Sequence, residues 1–190
     1  FPTRRSSDLV PEYQIEVVAV ADFDPQYMKG LPKEALELGC DPDYNCWNHL
    51  PNPRPNGDRP FRTASGHIHI GWTNVEDPKK GEHFTECTEV VKQMDFFLGL
   101  SSLSWDSDVR RREFYGKGGA FRTKPYGVEY RTLSNQWLKS KELMGLVYRN
   151  AMEGMHRLID GDALVDKYGD IQDIINSSNW KKAKKILDKE

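Results

Sequence analysis

Apolar and polar positions alternate with a period of two in two short stretches and recur at helical spacing in two longer ones. Residues 67–72 (HIHIGW) and 127–134 (GVEYRTLS) alternate strictly, so each predicts a strand with one apolar and one polar face. Residues 12–21 (EYQIEVVAVA) are β-branched and apolar, and suit a strand or the start of a buried helix. Residues 84–98 place Cys87, Val90, Val91, Met94, Phe97 and Leu98 on one helical stripe. Residues 136–159 predict the longest helix, with Leu143, Leu146, Val147, Ala151, Met155 and Leu158 facing a core. Residues 31–38 predict a short helix ending at Gly39. Residues 161–190 predict two more, the last capped by Asn179 and bearing a solvated lysine face.

Between these elements lie two irregular stretches. Residues 40–63 carry five prolines and an Asn56–Gly57 turn, and predict a long loop. Its Tyr44, Trp47 and Phe61 predict that it is packed. Its Asp41, Asp43 and Arg54 make it a candidate lid on the substrate side, beside the plainer reading of a structural loop. Residues 106–127 are polar, with Gly116, Gly118, Gly119 and Gly127. The chain shows no internal repeat and no regular βαβ alternation. The expected class is therefore α+β, an antiparallel sheet with helices on one face.

Composition narrows the function classes. The chain has 190 residues, enough for one domain with its own core. Its net charge of -2 implies no bulk attraction to nucleic acid or to an anionic membrane. No apolar run reaches the length of a membrane span. Three cysteines, Cys40, Cys46 and Cys87, without C-x-x-C spacing, fit reduced thiols better than a disulfide framework or a zinc site. Residues 1–9 (FPTRRSSDL) are polar and aperiodic, with no apolar signal core. They read as a foreign leader, with the true sequence beginning near Val10 and its N-terminal part missing.

The chemistry sits on the polar faces of the two alternating strands. Side chains alternate across a strand, so His67 and His69 share a face, as do Glu129 and Arg131. Ile68, Ile70, Val128 and Tyr130 point the other way. If both strands belong to one sheet, the four polar side chains line a common surface. Imidazoles and a carboxylate are metal ligands. Arginine clamps carboxylate or phosphate through a planar fork. The intervening segment adds Arg110, Arg111, Arg112, Lys117, Arg122 and Lys124, with glycines that let backbone N–H groups approach an anion. Cation, arginines and glycines together suit phosphoryl transfer. Taken singly, H-x-H also fits surface or packed imidazoles, E-x-R a plain cross-strand ion pair, and the glycines simple turns.

The stretches GCDPDYNCW (39–47), SGHIHIGW (65–72), MDFFLGL (94–100), RRREFYGKGGAFR (110–122) and KPYGVEYRTLSNQW (124–137) resemble, in this order, the phage-type carboxylate–amine ligases, or amidoligases. That family is related to glutamine synthetase and γ-glutamylcysteine synthetase. The resemblance covers about half the chain. It implies a curved antiparallel sheet whose concave face binds ATP and two divalent cations, Mg2+ or Mn2+. It places His67 and Glu129 as metal ligands and His69 toward the nucleotide. Arg131 would meet substrate or phosphate, and Arg112 and Arg122 the phosphates. The family's other metal-binding glutamates precede the H-x-H strand. Glu12 and Glu16 are the nearest candidates here and lack the motif.

The implied reaction is ATP-dependent amide formation through an acyl phosphate, joining a small-molecule or peptide carboxylate to an amine. The implied setting is the cytoplasm, phage-encoded or bacterial, with no nucleic acid or membrane partner. The implied organisation is a leader at 1–9, the C-terminal part of the catalytic domain at 10–160, and a helical tail at 161–190. Two other classes stay open on the residues alone. One is a non-heme iron or cupin-like enzyme, although Glu76 is badly spaced for a cupin. The other is an inactive fragment acting as a binding module.

Overall fold

The computed structural model describes residues 15–36, 43–55, 57, 59–79 and 81–190. In chain order these form β1 (Val20–Asp22), α1 (Pro25–Lys29), α2 (Lys33–Leu36), β2 (Tyr44–Asn45), β3 (Phe61–Thr63), β4 (Ile68–Gly71), α3 (Gly81–Met94), α4 (Val109–Phe114), β5 (Ala120–Lys124), β6 (Gly127–Tyr130), α5 (Lys141–Ile159), α6 (Ile171–Asn176) and α7 (Trp180–Leu187). α3 runs directly into a wider π-helical segment, Asp95–Leu100. β1 pairs with β3 in a two-stranded sheet. The second sheet has the order β2-β5-β6-β4, and every pairing is antiparallel.

The alternation in β4 and β6 becomes two chemically distinct faces. Ile68 lies opposite Tyr130, and Ile70 opposite Val128. On the other flank of β6, Phe121 and Thr123 stand opposite Tyr130 and Val128. α3 covers this apolar side, resting on β5 and β6. Its Cys87, Val90, Val91 and Met94 form one core with Phe121, Val128, Tyr130 and Leu133. α5 packs on α3 and on the π-helical segment. A second core joins Phe96 and Leu100 of that segment to Leu164, Ile171, Ile174, Ile175 and Ala183. The molecule is thus α+β, with an open antiparallel sheet and helices against its apolar face.

The expected elements at 67–72, 84–98 and 127–134 are present within a few residues of their bounds. Residues 136–159 divide at Ser140, whose hydroxyl accepts from Leu143 N and caps α5 behind a short 3-10 turn at Asn135–Lys139. Asn179 caps α7 by accepting from Lys182 N at 3.0 Å, as expected. Of residues 12–21, only Val20 and Ala21 are in a strand among those described. Residues 12–14 lie outside the described residues, as do the 1–9 leader, Val10, Glu12 and the end of the 31–38 helix with Gly39. The loop at 40–63 contains β2 and β3 and is packed. Tyr44 meets Phe84 edge-on at 5.2 Å, and Phe61 meets Phe114 at 4.9 Å. The polar stretch at 106–127 holds two elements that the periodicity left unassigned, α4 and the interior strand β5.

Cys46 and Cys87 are free, buried thiols, and Cys40 lies outside the described residues. Burial, then the charge of Glu86, pushes the Cys87 thiol up to about 12, so it stays protonated at neutral pH. Among the described residues, no helix is long and apolar enough to cross a membrane.

Candidate active site

Strand order and register assemble the polar face. β6 lies between β5 and β4, so Glu129 has Arg122 opposite it on one side and His69 on the other. Two residues along each strand, the same face receives Lys124, Arg131 and His67. Glu129 is only 4% exposed and has four partners among the described residues. His67 Nδ1 lies 2.9 Å from its Oε1, and Lys124 Nζ lies 2.7 Å from its Oε2. Arg131 Nη1 bonds the same Oε1, and Arg122 Nη1 approaches it to 4.0 Å. The structure therefore brings His67, His69, Arg122, Glu129 and Arg131 to one surface.

Burial alone would raise the Glu129 carboxyl. Hydrogen bonds from His67 and Lys124, with the charge of Arg131, outweigh it and hold the group well below the usual carboxylate range. Arg131 is 6% exposed and also reaches the loop before β2, its Nε donating to Asp43 Oδ2 at 3.0 Å. Asp43 is thus a member of the cluster, placed there by the candidate lid. Of the other lid residues, Asp41 lies outside the described residues.

His69 is exposed, and its Nδ1 lies 2.5 Å from the Tyr126 hydroxyl. Tyr126 belongs to the two-residue turn between β5 and β6. It was visible in the sequence only as part of a motif, since nothing in the local pattern tells which face a turn residue covers.

Arg112 is not brought to this surface. It is 2% exposed, and its guanidinium donates to the carbonyls of Gly116 and Thr132, each at 2.8 Å. Arg111 beside it is fully buried and donates to the Thr132 carbonyl at 2.6 Å and to that of Leu133. The reason is helical: Arg111 and Arg112 sit on the inward side of α4, a helix not legible in the run RRR. Both brace the segment that follows β6. Glu16, the described member of the upstream glutamate pair, is exposed on an irregular segment.

Sequence reasoning also passed over Asp95, which lies beneath the sheet. This carboxylate is fully buried at the start of the π-helical segment. It accepts from Trp47 Nε1 at 2.8 Å, Tyr130 Oη at 2.8 Å and Thr132 Oγ1 at 3.2 Å. Burial pushes its carboxyl up to about 6, against hydrogen bonds from Trp47, Gly119, Tyr130 and Thr132. Through Trp47 and Tyr130 it ties the loop bearing Asp43 to the strand bearing Glu129 and Arg131. A lone aspartate in an apolar helical stripe was the available signal.

For a cation, the donors fit in part. Among the described residues, no group of three or more His, Cys, Asp or Glu side chains is arranged to hold a metal. His67 and Glu129 form a touching pair, and His67 Nε2 is buried without a hydrogen-bond partner among the described residues. Arg131 Nη1 also lies 3.3 Å from Nδ1, and in the tautomer whose Nδ1 donates to the closer carboxylate, Nε2 is the lone-pair nitrogen with which imidazole binds a metal.

The family model for the phage phiEco32-like COOH.NH2 ligase-type 2 matches residues 57–152, just over half of the chain. The chain belongs to this family. The matched span of the ligase holds β3 to β6, both strands of the H-x-H and E-x-R pairs, and the first part of α5. Asp43 falls before it. No curated protein and no solved structure matches the ligase.

Proposed function

We propose that this chain is an ATP-dependent carboxylate–amine ligase acting through an acyl phosphate. One observation carries the reading: His67, Glu129 and Arg131 converge on the polar face of the sheet, next to His69, Arg122 and Lys124. In the first step a substrate carboxylate oxygen attacks the γ-phosphorus of ATP. The bond to the β-bridging oxygen breaks, leaving ADP and an acyl phosphate. In the second step an amine attacks the acyl carbon, a proton is lost from nitrogen, and phosphate departs with formation of the amide. The phosphorylation is needed because a carboxylate is a poor acyl donor in water.

The side chains divide this work by charge. Two anions, the carboxylate and the triphosphate, must meet, and their repulsion is offset by fixed cations that need not reorganise. Arg131 faces the transferring phosphoryl group and substrate, with Asp43 fixing the plane of its fork. Arg122 and Lys124 take the phosphate side, and His69 the nucleotide. His67 and Glu129 would hold Mg2+ or Mn2+, with further donors drawn from the ligands. Imidazole in the set favours tolerance of manganese. When bound, the cation supplies neutralisation of phosphate charge. Arg112 belongs to the scaffold in this reading.

The test offers amino-acid and peptide carboxylates together with ATP, Mg2+ or Mn2+, and hydroxylamine as the amine. Formation of a hydroxamate with matching ADP release is expected from the wild type and not from Glu129→Gln. ATP consumption with no carboxylate dependence, or equal turnover in the variant, would remove the proposal.

A further inference from the structure

The polar face continues past His69 into an aromatic platform that the reaction scheme does not use. β5 and β6 are joined by Pro125 and Tyr126 alone, with Lys124 opposite Gly127. Three backbone bonds from the segment after β4 pin this turn. Trp72 N and Thr73 N donate to the Tyr126 carbonyl at 2.9 and 3.3 Å, and Val75 N to that of Pro125 at 2.9 Å. The proline adds its own restriction of φ. The turn is therefore held in place before any ligand arrives.

Tyr126 is laid across the neighbouring strand. A Cβ built at Gly71 would touch its ring at 3.6 Å, so a longer side chain there would fill the space the ring occupies. Gly71 follows His67 and His69 on the same face, which gives the final glycine of HIHIG a role. The Tyr126 hydroxyl anchors the ring on His69, yet the residue stays 41% exposed. The two rings are inclined by only 35° with centroids 6.1 Å apart. A large exposed aromatic that is rigidly mounted, hydrogen-bonded at its tip and open on one side is built to receive a planar group.

We propose that Tyr126, backed by His69, is the stacking surface for the nucleobase, and that it sets how the nucleotide lies along the sheet. This rests on the ligase reading and names a residue that the reading leaves unassigned. Lys124 and Arg122 adjoin the platform on the same face, and Arg131, just past the end of β6, lies four residues beyond Gly127, about 13 Å of extended chain. A nucleoside triphosphate placed with its base on Tyr126 runs its phosphates over the lysine and arginines toward Arg131. Stacking contacts the π-face common to all bases. The platform therefore favours a nucleotide over a bare polyphosphate without selecting strongly among bases.

Binding of ATP and of inorganic tripolyphosphate to the wild type, Tyr126→Phe and Tyr126→Ala tests this by calorimetry. Tyr126→Ala is expected to weaken ATP by roughly tenfold to a hundredfold while leaving tripolyphosphate unchanged. Tyr126→Phe keeps the ring and is expected to stay near wild type for both. Wild-type ATP affinity in Tyr126→Ala would overturn the assignment. So would an equal loss of both ligands, which would mean that the ring merely props the cationic cluster. Tripolyphosphate binding with no preference for ATP in the wild type would also overturn it, leaving the anion site standing. Failure of the wild type to bind either ligand would overturn the ligase reading itself, and the platform with it.

Discussion

Arg131 reaches Asp43 across 88 residues of sequence, its Nε 3.0 Å from the Asp43 carboxylate. The same guanidinium uses Nη1 for Glu129. One planar fork thus joins the loop before β2 to the neighbouring carboxylate on its own strand. A lysine ammonium cannot hold both directions at once. Arg131→Lys keeps the charge but gives up the Nε donation to Asp43, and is expected to lose about 1–3 kcal/mol of stability, read from urea unfolding. Hydroxamate formation is expected to fall with it. Wild-type values in both measurements would remove Arg131 from the site.

Asp95 and Glu129 give stability opposite dependences on pH. The Asp95 carboxyl rises from 3.8 to about 6 on folding, so the folded state binds the proton more tightly. Its contribution is fullest below the unfolded value and is lost as pH rises through about 6, by about 3 kcal/mol in all. Glu129 is held below its ordinary value, so its contribution is present at neutral pH and is lost as pH falls below that value. Urea unfolding of Asp95→Asn between about pH 4 and about pH 7 is expected to lack the alkaline decline of the wild type. Glu129→Gln is expected to lack part of the acid decline. Parallel curves for all three proteins would contradict both assignments.

Gly127 has a φ of 149°, and a Cβ there would run into the carbonyl oxygen of Ile70 on the partner strand. Gly127→Ala is expected to lose more than the ~1–3 kcal/mol of backbone strain alone, because β4 must also be pushed away from β6. Gly161 is the control. Its φ of 82° is also positive, but a Cβ there meets no atom of the described residues within 4 Å. Thermal unfolding should rank Gly127→Ala well below Gly161→Ala. Equal melting temperatures would mean that β4 and β6 do not meet at this register.

Val128 is fully buried between Ile70 and Thr123, one residue before Glu129. Val128→Asp places an unpaired charge in the core and is expected to abolish folding, as judged by near-UV circular dichroism. Val128→Ile keeps the apolar character and should remain folded. A folded, ligand-binding Val128→Asp protein would mean that the strand faces are reversed.

The sequence disclosed the site more readily than the frame around it. His67, His69, Glu129 and Arg131 could be placed on one face because strict alternation has a single geometric meaning. β5 was hidden because Arg122 and Lys124 make its outer face as polar as a loop, and Gly116 to Gly119 precede it. α4 was hidden because three consecutive arginines look solvated. Nothing in their local pattern says that Arg111 and Arg112 will be turned inward onto carbonyls. Asp43 and Asp95 depend on contacts between segments distant in sequence, which periodicity cannot report.

The two-residue connection between Lys124 and Gly127 leaves the hairpin no slack. Inserting or deleting one amino acid within β6 would rotate every later side chain to the opposite surface. Glu129 and Arg131 would then be driven into oil while Val128 and Tyr130 emerged into water. A change of length in the proline-rich stretch ahead of β3 carries no such penalty, because it leaves the alternation of β4, β5 and β6 untouched.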